Sequence, residues 1–284
     1  GGSTWRAAAQ LAASRNAVLA LEVWRSGLAH RVRTLGEINR RRQSSGRPAA
    51  GVLALAPDHN IERELEDGDV GVSVRVAPWG VRTPERPNIV LPPARRRGIV
   101  IAGNGRDARL FSAAFEATLS LVMERDDLMA FVDADAVQRL GLWPRVVANK
   151  AESLVTLVAG LETSRAAPLR SDFVVHPEAR GERRSLLLGA MAAGALVVAA
   201  RDDSVEWLKD GQTAKLVSGA DAESWRSAIA TLLNDRAASE RLVASARSYV
   251  HEHHRPAAHV AAVLDGYEWM HSGMSRRVAA GAKA

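Results

Sequence analysis

Two short glycine-bearing segments contain the residue types that bind phosphate groups. The first is Gly103-Asn104-Gly105-Arg106, which follows an apolar strand pattern and precedes a helical one. Its glycines let the backbone approach a phosphate closely, and the start of a helix offers unpaired N–H groups at the positive end of the helix dipole. Arg106 can add a charge-assisted hydrogen bond. The segment predicts a phosphate-binding loop; the alternative is a tight strand-to-helix turn with no ligand.

The second segment connects a predicted strand at 172–177 with an apolar helix that begins at Ser185. Its polar turn, 178–184, contains two acids, a glycine and three arginines, among which the candidates are Glu178, Glu182, Gly181, Arg183 and Arg184. We expect an anion at this helix start to meet backbone N–H groups and an arginine side chain. Because the helix is rich in small residues that pack closely on a sheet, a purely structural role stays open.

The first segment also fits the G-x-G-x-x-G/A fingerprint, which keeps a nicotinamide- or flavin-dependent oxidoreductase as an alternative. Asp133, at the end of the next predicted strand, is then the candidate that hydrogen-bonds a ribose. It lies farther from Gly103 than the roughly 20 residues expected in that fingerprint. The spacing therefore fits a phosphate loop better than a dinucleotide site.

Acid–base chemistry is predicted at His59, which follows the predicted strand 52–56 and could take a proton from an acceptor. The alternative is a turn in which a side chain caps the next helix. The clustered imidazoles of residues 251–254 lack a carboxylate or cysteine at ligand spacing. We therefore predict a solvated basic helix end there and no metal site.

The predicted elements bring the candidate residues to one edge of a sheet. Residues 4–82 predict a reduced N-terminal, acceptor-side module of helices and a strand–helix–strand unit, and 83–97 predict a Pro/Arg-rich linker. From 98 to 274 strands and helices alternate, which is typical of an α/β fold with a Rossmann-type parallel sheet covered on both faces. Ligands of such sheets bind at the carboxyl ends of the strands.

Three less regular patterns also carry predictions. The segment RVVANK (145–150) predicts a strand, EWLKDG (206–211) predicts the start of a helix, and the first forty residues predict helices. Arginines flank an apolar stripe in these forty residues, so the helix could contact an anionic membrane, or be a domain helix with a solvated face. The expected location is the cytoplasm, with peripheral binding to the inner membrane as an option.

The composition limits the classes of partner. Hydrophobic residues make up 47% and charged residues 25%, which is typical of a soluble globular protein. The absence of cysteine excludes disulfides and thiolate metal sites. A net charge of +6 suits phosphorylated small molecules, whereas nucleic-acid binding is disfavoured because no aromatic residues are interleaved with the basic ones.

Residues 172–268 resemble the C-terminal, nucleotide-sugar-binding domain of GT-B glycosyltransferases, in particular family 4 (glycosyl transferases group 1). The matching segments are DFVVHPE, GAMAAGALVVAA, VEWLKDGQTAKLV and DAESWRSAIATLLND. The resemblance implies a GT-B fold and transfer of a hexose from a nucleoside diphosphate sugar, with no obligatory metal or cofactor. It also implies a position for Glu206 on the ribose and base side. Since residues 4–82 are short for an acceptor domain, a second chain could complete the cleft.

The sequence departs from the family at its two glutamates, which lie eight positions apart. Gly181 stands where the first would approach the transferred sugar, and Gly189 where the second would hold the ribose. Glu178 or Glu182 could replace the first as a catalytic residue. Each lost carboxylate removes a charge-assisted hydrogen bond of roughly 1.5–3 kcal/mol. A catalytically inactive relative that binds a partner or acts as a scaffold is therefore the second hypothesis, beside an active glycosyltransferase.

Overall fold

The computed structural model describes residues 2–15, 17–46, 51–85, 87, 96–161, 170–178 and 185–281. Its strands are β1 (Val18–Glu22), β2 (Gly51–Ala56), β3 (Ser73–Val76), β4 (Arg97–Ile101), β5 (Leu128–Asp133), β6 (Val155–Val158), β7 (Phe173–His176), β8 (Leu196–Ala200) and β9 (Lys215–Val217). Its helices are α1 (Gly2–Ser14), α2 (Ala29–Ser44), α3 (His59–Asp67), α4 (Ala108–Glu124), α5 (Ala134–Arg139), α6 (Trp143–Ala148), α7 (Ser185–Ala193), α8 (Ala222–Asn234), α9 (Arg236–His253) and α10 (Pro256–Gly281).

The first sheet is small and parallel, with the order β1-β2-β3. One face is covered by α2 and α3, whose buried Val32, Ile61 and Leu65 pack against alanines of β2. The other face of β2 packs against α10, which returns from the end of the chain and buries Met270 there. The last helix therefore joins the two halves of the described chain.

The second sheet has the order β6-β5-β4-β7-β8-β9, and all of its pairings are parallel. The chain runs outward from β4 through β5 to β6, and then restarts at β7 on the other side of β4. Helices cover both faces: Phe111 and Trp225 are buried on one, Met191 and Val250 on the other. This confirms the predicted α/β fold with a doubly wound, Rossmann-type sheet.

Aspartates at the ends of strands and loops begin many of the helices. In five helices the carboxylate of the preceding aspartate accepts a hydrogen bond from the N–H group three residues later, at Asp58, Asp107, Asp133, Asp221 and Asp235. Such a cap satisfies one of the N–H groups that the first turn leaves unpaired. Helix starts are thus encoded locally in this sequence.

Two of the predicted elements are wrong. Residues 145–150 are not a strand, because Pro144 lies in the first turn of α6 and the buried Leu142 and Val146 follow helical spacing. The strand of this region is β6, a four-residue strand at the edge of the sheet. Its residues mix buried and exposed positions without a regular alternation, so its hydrophobic pattern does not predict a strand. Residues 206–211 form turns rather than a helix, because the Thr213 hydroxyl donates to Trp207 O and accepts from the Lys209 N–H.

The prediction for the first forty residues is wrong in part, because β1 separates α1 from α2. Its residues pair with β2 from Val18 to Glu22, and this pairing with a distant segment overrides the local helical pattern. Arg33 of α2 donates to the Gly68 carbonyl, so one basic side chain of the helix has a partner within the chain. In the described residues, no helix is both long and apolar enough to cross a bilayer. Contact with a membrane surface stays a prediction.

The predicted boundaries 4–82, 83–97 and 98–274 also stay a prediction. The two sheets lie between Val18 and Val76 and between Arg97 and Val217. Since α10 packs on the first sheet, the last helix of the chain contributes to the packing of the N-terminal half.

The contact between α2 and the turn before β3 gives a stability prediction. Alanine usually stabilises a helix interior relative to glycine by roughly 0.5–1 kcal/mol. At Gly36, however, an added Cβ would overlap the carbonyl oxygen of Val70, which cannot move without shifting the backbone. We expect Gly36→Ala to lower the free energy of unfolding by about 1–3 kcal/mol, measured by urea denaturation. Glu37→Ala, at the exposed neighbour, is the control; a stabilised Gly36→Ala protein would contradict this packing.

Candidate functional site

The order of the second sheet reverses between β4 and β7, and both predicted anion segments follow these strands. In doubly wound sheets the crevice at this reversal is where ligands bind. Here the Asn104 N–H donates to Oε1 of Glu178 over 2.6 Å, and Glu178 is only 5% exposed. A Cβ placed on Gly103 would lie 3.1 Å from the same carboxylate oxygen. The two segments are therefore in direct contact, and Glu178 lies over the glycine loop.

The glycine loop has a defined turn conformation. Gly105 has φ +67°, and a Cβ there would also meet the Leu140 side chain at 2.9 Å. The Arg106 N–H donates to Oδ1 of Asn104, and Asp107 then caps α4. The N–H groups of residues 104 and 106 thus already have acceptors within the chain. An incoming phosphate would have to replace these bonds, so phosphate binding at residues 103–106 stays a prediction.

The start of α7 supplies the other side of this crevice. Ser185, its first residue, is half-buried, and the helix continues into buried leucines, alanines and a methionine. The predicted Gly181, Glu182, Arg183 and Arg184 lie outside the described residues. Their proposed contacts with a donor stay predictions.

Asp133 lies at the end of β5, and its carboxylate links this strand to the start of α5 and to the segment after β6. Oδ1 accepts from the Ala136 N–H at the start of α5, and Oδ2 accepts from the Leu161 N–H beyond β6. The residue is 3% exposed. Each oxygen therefore has a backbone partner, which gives Asp133 a structural role; its binding to ribose stays a prediction.

A cleft lies between the carboxyl ends of the two sheets and contains a cavity of about 140 Å³. From the first sheet it is lined by the residues that follow β2 and β3: Pro57, Asp58, His59 and Pro78, with Val76 of β3. From the second half it is lined by Glu206, Trp207, Tyr249, His253 and His254. Parallel strands that end at the same edge of each sheet explain why these distant residues meet.

Hydrogen bonds across this cleft join α3 to the segment after β8. The His59 N–H donates to Oε2 of Glu206 over 3.1 Å, and the Asn60 side chain donates to the Ser204 carbonyl over 3.2 Å. The sequence placed His59 on the acceptor side and Glu206 on the donor side; the structure brings the two residues into contact. The helix cap that was predicted as the alternative at this turn is also present, because the Asp58 carboxylate caps α3.

His59 has a carboxylate partner that the sequence analysis missed. Its Nδ1 lies 2.9 Å from Oε2 of Glu62, one helical turn later. The hydrogen bond to Glu62 raises the pKa of His59 above 6.5, and the charges of Glu206, Glu62 and Asp58 add to the increase, while partial burial opposes it. The three-residue spacing on a helix was the available signal for this pair.

The histidine cluster at the end of α9 differs from the prediction at one residue. His251 and His253 are exposed, but His254 is buried, so the prediction of a fully solvated helix end is wrong there. Nδ1 of His254 lies 2.9 Å from the carbonyl oxygen of Trp79, and the His254 carbonyl accepts from the Val81 N–H. Burial lowers the pKa of His254 below 6.5, although the bond to Trp79 opposes this shift. Among the described residues, no three His, Asp or Glu side chains are grouped to hold a metal ion.

Two parallel α/β sheets whose carboxyl ends face a common cleft match the GT-B fold of glycosyltransferases. HepE of Anabaena, in complex with UDP and glucose, superposes with a TM-score of 0.71 at 13% identity, over 94% of this chain and 76% of that one. Sucrose-phosphate synthase of Thermosynechococcus elongatus gives 0.65 at 16% identity, over 87% and 64%. The pneumococcal O-GlcNAc transferase GtfA, in complex with UDP and GlcNAc, gives 0.65 at 12% identity, over 93% and 54%.

These similarities show the fold. This chain spans less than two thirds of the synthase and about half of GtfA. No protein-family model matches the sequence, and no curated protein sequence does.

The buried His254 predicts how stability depends on pH. Because its folded-state pKa is lowered, the unfolded chain binds more protons as the pH falls below about 6.5, and stability falls in that window by at most about 1.4 kcal/mol per pH unit. His254→Asn keeps an N–H donor near Trp79 but does not titrate. We expect its free energy of unfolding to fall less than that of the wild type between about pH 7.5 and 5.5.

The control for this comparison is His251→Asn, at an exposed position of the same helix. The raised pKa of His59 contributes stability below about 6.5 that is lost as the pH rises, but it contributes equally to all three proteins. Parallel stability–pH curves for the wild type and His254→Asn would contradict the prediction.

Proposed function

We propose that this protein is a glycosyltransferase that binds a nucleoside diphosphate sugar in the cleft between its two sheets. The observation that carries the proposal is the direct contact between the carboxyl edges of the sheets, through His59 and Glu206, in a GT-B fold. Structural neighbours with this fold are glycosyltransferases, and several of their structures hold UDP or UDP-glucose. The proposal further includes a nucleoside diphosphate sugar as the donor and a reaction that needs no metal ion.

In this proposal the diphosphate lies in the crevice between β4 and β7. Arg106 and the N–H groups at the start of α7 near Ser185 stabilise the charge that develops on the leaving diphosphate. Arg183 and Arg184 would add charge beside them. Glu206 lies on the ribose and base side, and His59 takes the proton of the acceptor hydroxyl. We also propose a relationship to family 4 in which this chain has lost both glutamates of that family's pair, with Gly181 and Gly189 in their places.

A second candidate function is favoured by Glu178. Its carboxylate already accepts the Asn104 N–H and would repel a diphosphate from the same loop. A relative that has lost catalysis and binds a partner instead would retain the fold with such an arrangement. An oxidoreductase is the remaining alternative, and titration with NADH and FAD tests it.

Calorimetric titration with UDP, ADP, GDP and their glucose conjugates tests donor binding. We expect one nucleotide series to bind, and Arg106→Ala to weaken its affinity about 10-fold through the loss of one charge-assisted hydrogen bond at an exposed site. Arg41→Ala, at an exposed position of α2, is the control and should bind like the wild type. No binding of any nucleotide at millimolar concentration would contradict the donor site.

Glu178→Gln separates the two candidate functions. If Glu178 only excludes the diphosphate, its neutral replacement should tighten nucleotide binding several-fold, because the repulsion is removed while a hydrogen-bond acceptor remains. If Glu178 is catalytic, the variant should bind the nucleotide but lose release of UDP from UDP-glucose. Donor binding by the wild type without any sugar transfer or donor hydrolysis would favour the inactive relative.

A further inference from the structure

A second cavity lies at the amino edge of the first sheet, on the opposite side from the cleft. Its volume is about 530 Å³, within the roughly 300–1,000 Å³ of small-molecule sites. Its walls are the last two turns of α2, the end of α3 with the turn that follows it, and the first residues of β2 and β3. We call this cavity the amino-edge pocket.

The length of β2 separates the amino-edge pocket from the cleft. The strand runs from Gly51, which lines the pocket, to Ala56, which precedes the cleft residues Pro57 and Asp58. At about 3.3 Å per residue this distance is roughly 17 Å. A ligand in the pocket is therefore remote from the proposed transfer step.

Contacts within the chain hold the wall formed by α2 in place. Nε of Arg33 donates to the Gly68 carbonyl oxygen over 2.7 Å, and Gly36 lets the helix touch the carbonyl oxygen of Val70. The helix continues beyond Gly36 to Ser44, and residues 39, 40 and 43 line the pocket on the same helical face as Gly36. The shape of the pocket is thus determined by the packing of α2 on the turn after α3.

The Arg40 side chain lies against the backbone of this turn. A Cβ on Gly71 would lie 3.0 Å from Nη2 of Arg40, and Gly71 has a φ of +64°, a conformation that favours glycine. Within the part of the chain that the structure describes, the Arg40 guanidinium has no hydrogen-bond or ion-pair partner. Its N–H groups are therefore available to a ligand in the pocket.

Five side chains with planar polar groups line the amino-edge pocket. They carry two amides, two carboxylates and the guanidinium: Asn39, Gln43, Glu66, Asp69 and Arg40. Each of these groups presents two neighbouring polar atoms, an arrangement that can bind two adjacent hydroxyl groups, since a hydroxyl both donates and accepts hydrogen bonds. The half-buried Val72 and Val74 add an apolar surface, which suits the C–H groups of a sugar ring.

The charges around the pocket disfavour a strongly charged ligand. Glu66 and Asp69 repel a phosphate, and α2 and α3 both end here, so the negative ends of their dipoles add to this repulsion. Arg40 in turn repels a cation. A neutral ligand with many hydroxyl groups can hydrogen-bond to groups of both signs without this repulsion.

We propose that the amino-edge pocket is a non-catalytic binding site for a neutral sugar. The planar polar side chains bind its hydroxyl groups, and the valines contact its ring. This site goes beyond the proposed function of the cleft and uses none of the residues assigned there. In the proposed glycosyltransferase it holds a saccharide on the first half of the chain, apart from the donor and the reacting hydroxyl.

Amide NMR of the full chain, titrated with glucose, N-acetylglucosamine or sucrose, tests the site. We expect at least one of these sugars to shift the amide signals of Gln43, Gly71 and Ser73, with a dissociation constant of about 1–10 mM for a few hydrogen bonds in an open pocket. Shifts confined to the cleft, at His59 and Glu206, would overturn the proposal. So would the absence of shifts with all three sugars at concentrations about tenfold above this range.

Variants at exposed positions test the roles of the side chains without disturbing the core. Arg40→Ala should weaken sugar binding about 10-fold, because hydrogen bonds from a charged group are lost. Arg41→Ala, at an exposed neighbour that does not line the pocket, is the matched control and should bind like the wild type. Equal affinity of the wild type and Arg40→Ala would contradict the site.

Glu66→Gln and a charged sugar test whether the ligand is neutral. The variant keeps two polar atoms and loses the charge, so its affinity for the neutral sugar should change less than about 2-fold. Glucose 6-phosphate should bind the wild type no more tightly than glucose does, because Glu66 and Asp69 repel its phosphate. Tighter binding of glucose 6-phosphate or of inorganic phosphate, lost in Arg40→Ala, would show an anion site and overturn the proposal.

Titration with UDP distinguishes this site from the proposed donor site. Arg40→Ala should bind UDP like the wild type, because the pocket and the cleft lie at opposite edges of the sheet. A wild type that binds a sugar in the pocket but no nucleotide would support the pocket and refute the proposed function. Binding of UDP without binding of any of the three sugars would refute the pocket alone.

Discussion

Parallel strand pairing is the constraint on which the rest of this structure depends. In each sheet all strands run the same way, so every strand ends at the same edge and the following loops gather there. The two edges face each other across the cleft, where the residue after the cap of α3 meets a residue of the segment after β8. Any functional group that the sequence places just after a strand is thereby brought towards one place. The reversal of strand order between β4 and β7 adds a crevice at that edge.

Polar residues at this edge also hold the fold together. Nδ1 of the buried His176 lies 2.6 Å from the Ala102 carbonyl oxygen, where the carboxyl ends of β7 and β4 are neighbours. Asp172 is also fully buried and links the same two strands, but at their amino ends, where it accepts the Gly98 N–H. Asp133 and Glu178 make comparable contacts nearby. Buried polar groups need such partners, because an unpaired one costs about 1–3 kcal/mol. A donor molecule at this edge would therefore compete with bonds that stabilise the protein itself.

The two histidines that line the cleft show how position sets their protonation. His59 lies on the outer surface of the cleft beside carboxylates, which favour the charged imidazolium and raise its pKa. His254 lies beneath the same cleft, where burial disfavours the charge and lowers its pKa. Near neutral pH the second therefore stays a neutral hydrogen-bond donor to the backbone of the first half and fixes the segment after β3. The first is exposed at the edge that we propose faces the acceptor.

The sequence by itself determined the alternation of strands and helices, because apolar runs, aspartate caps and small-residue helices are local signals. It also identified the loop at 103–106 and the turn at 178–185 as neighbours of strand ends, and it selected His59 and Glu206. Only the tertiary structure decided that β1 is a strand, that residues 145–148 belong to a helix, and that Glu178 lies on the glycine loop. It also decided that His59 contacts Glu206 while Glu62 holds its ring. These outcomes depend on pairings between segments far apart in the chain, whose free energy no local pattern contains.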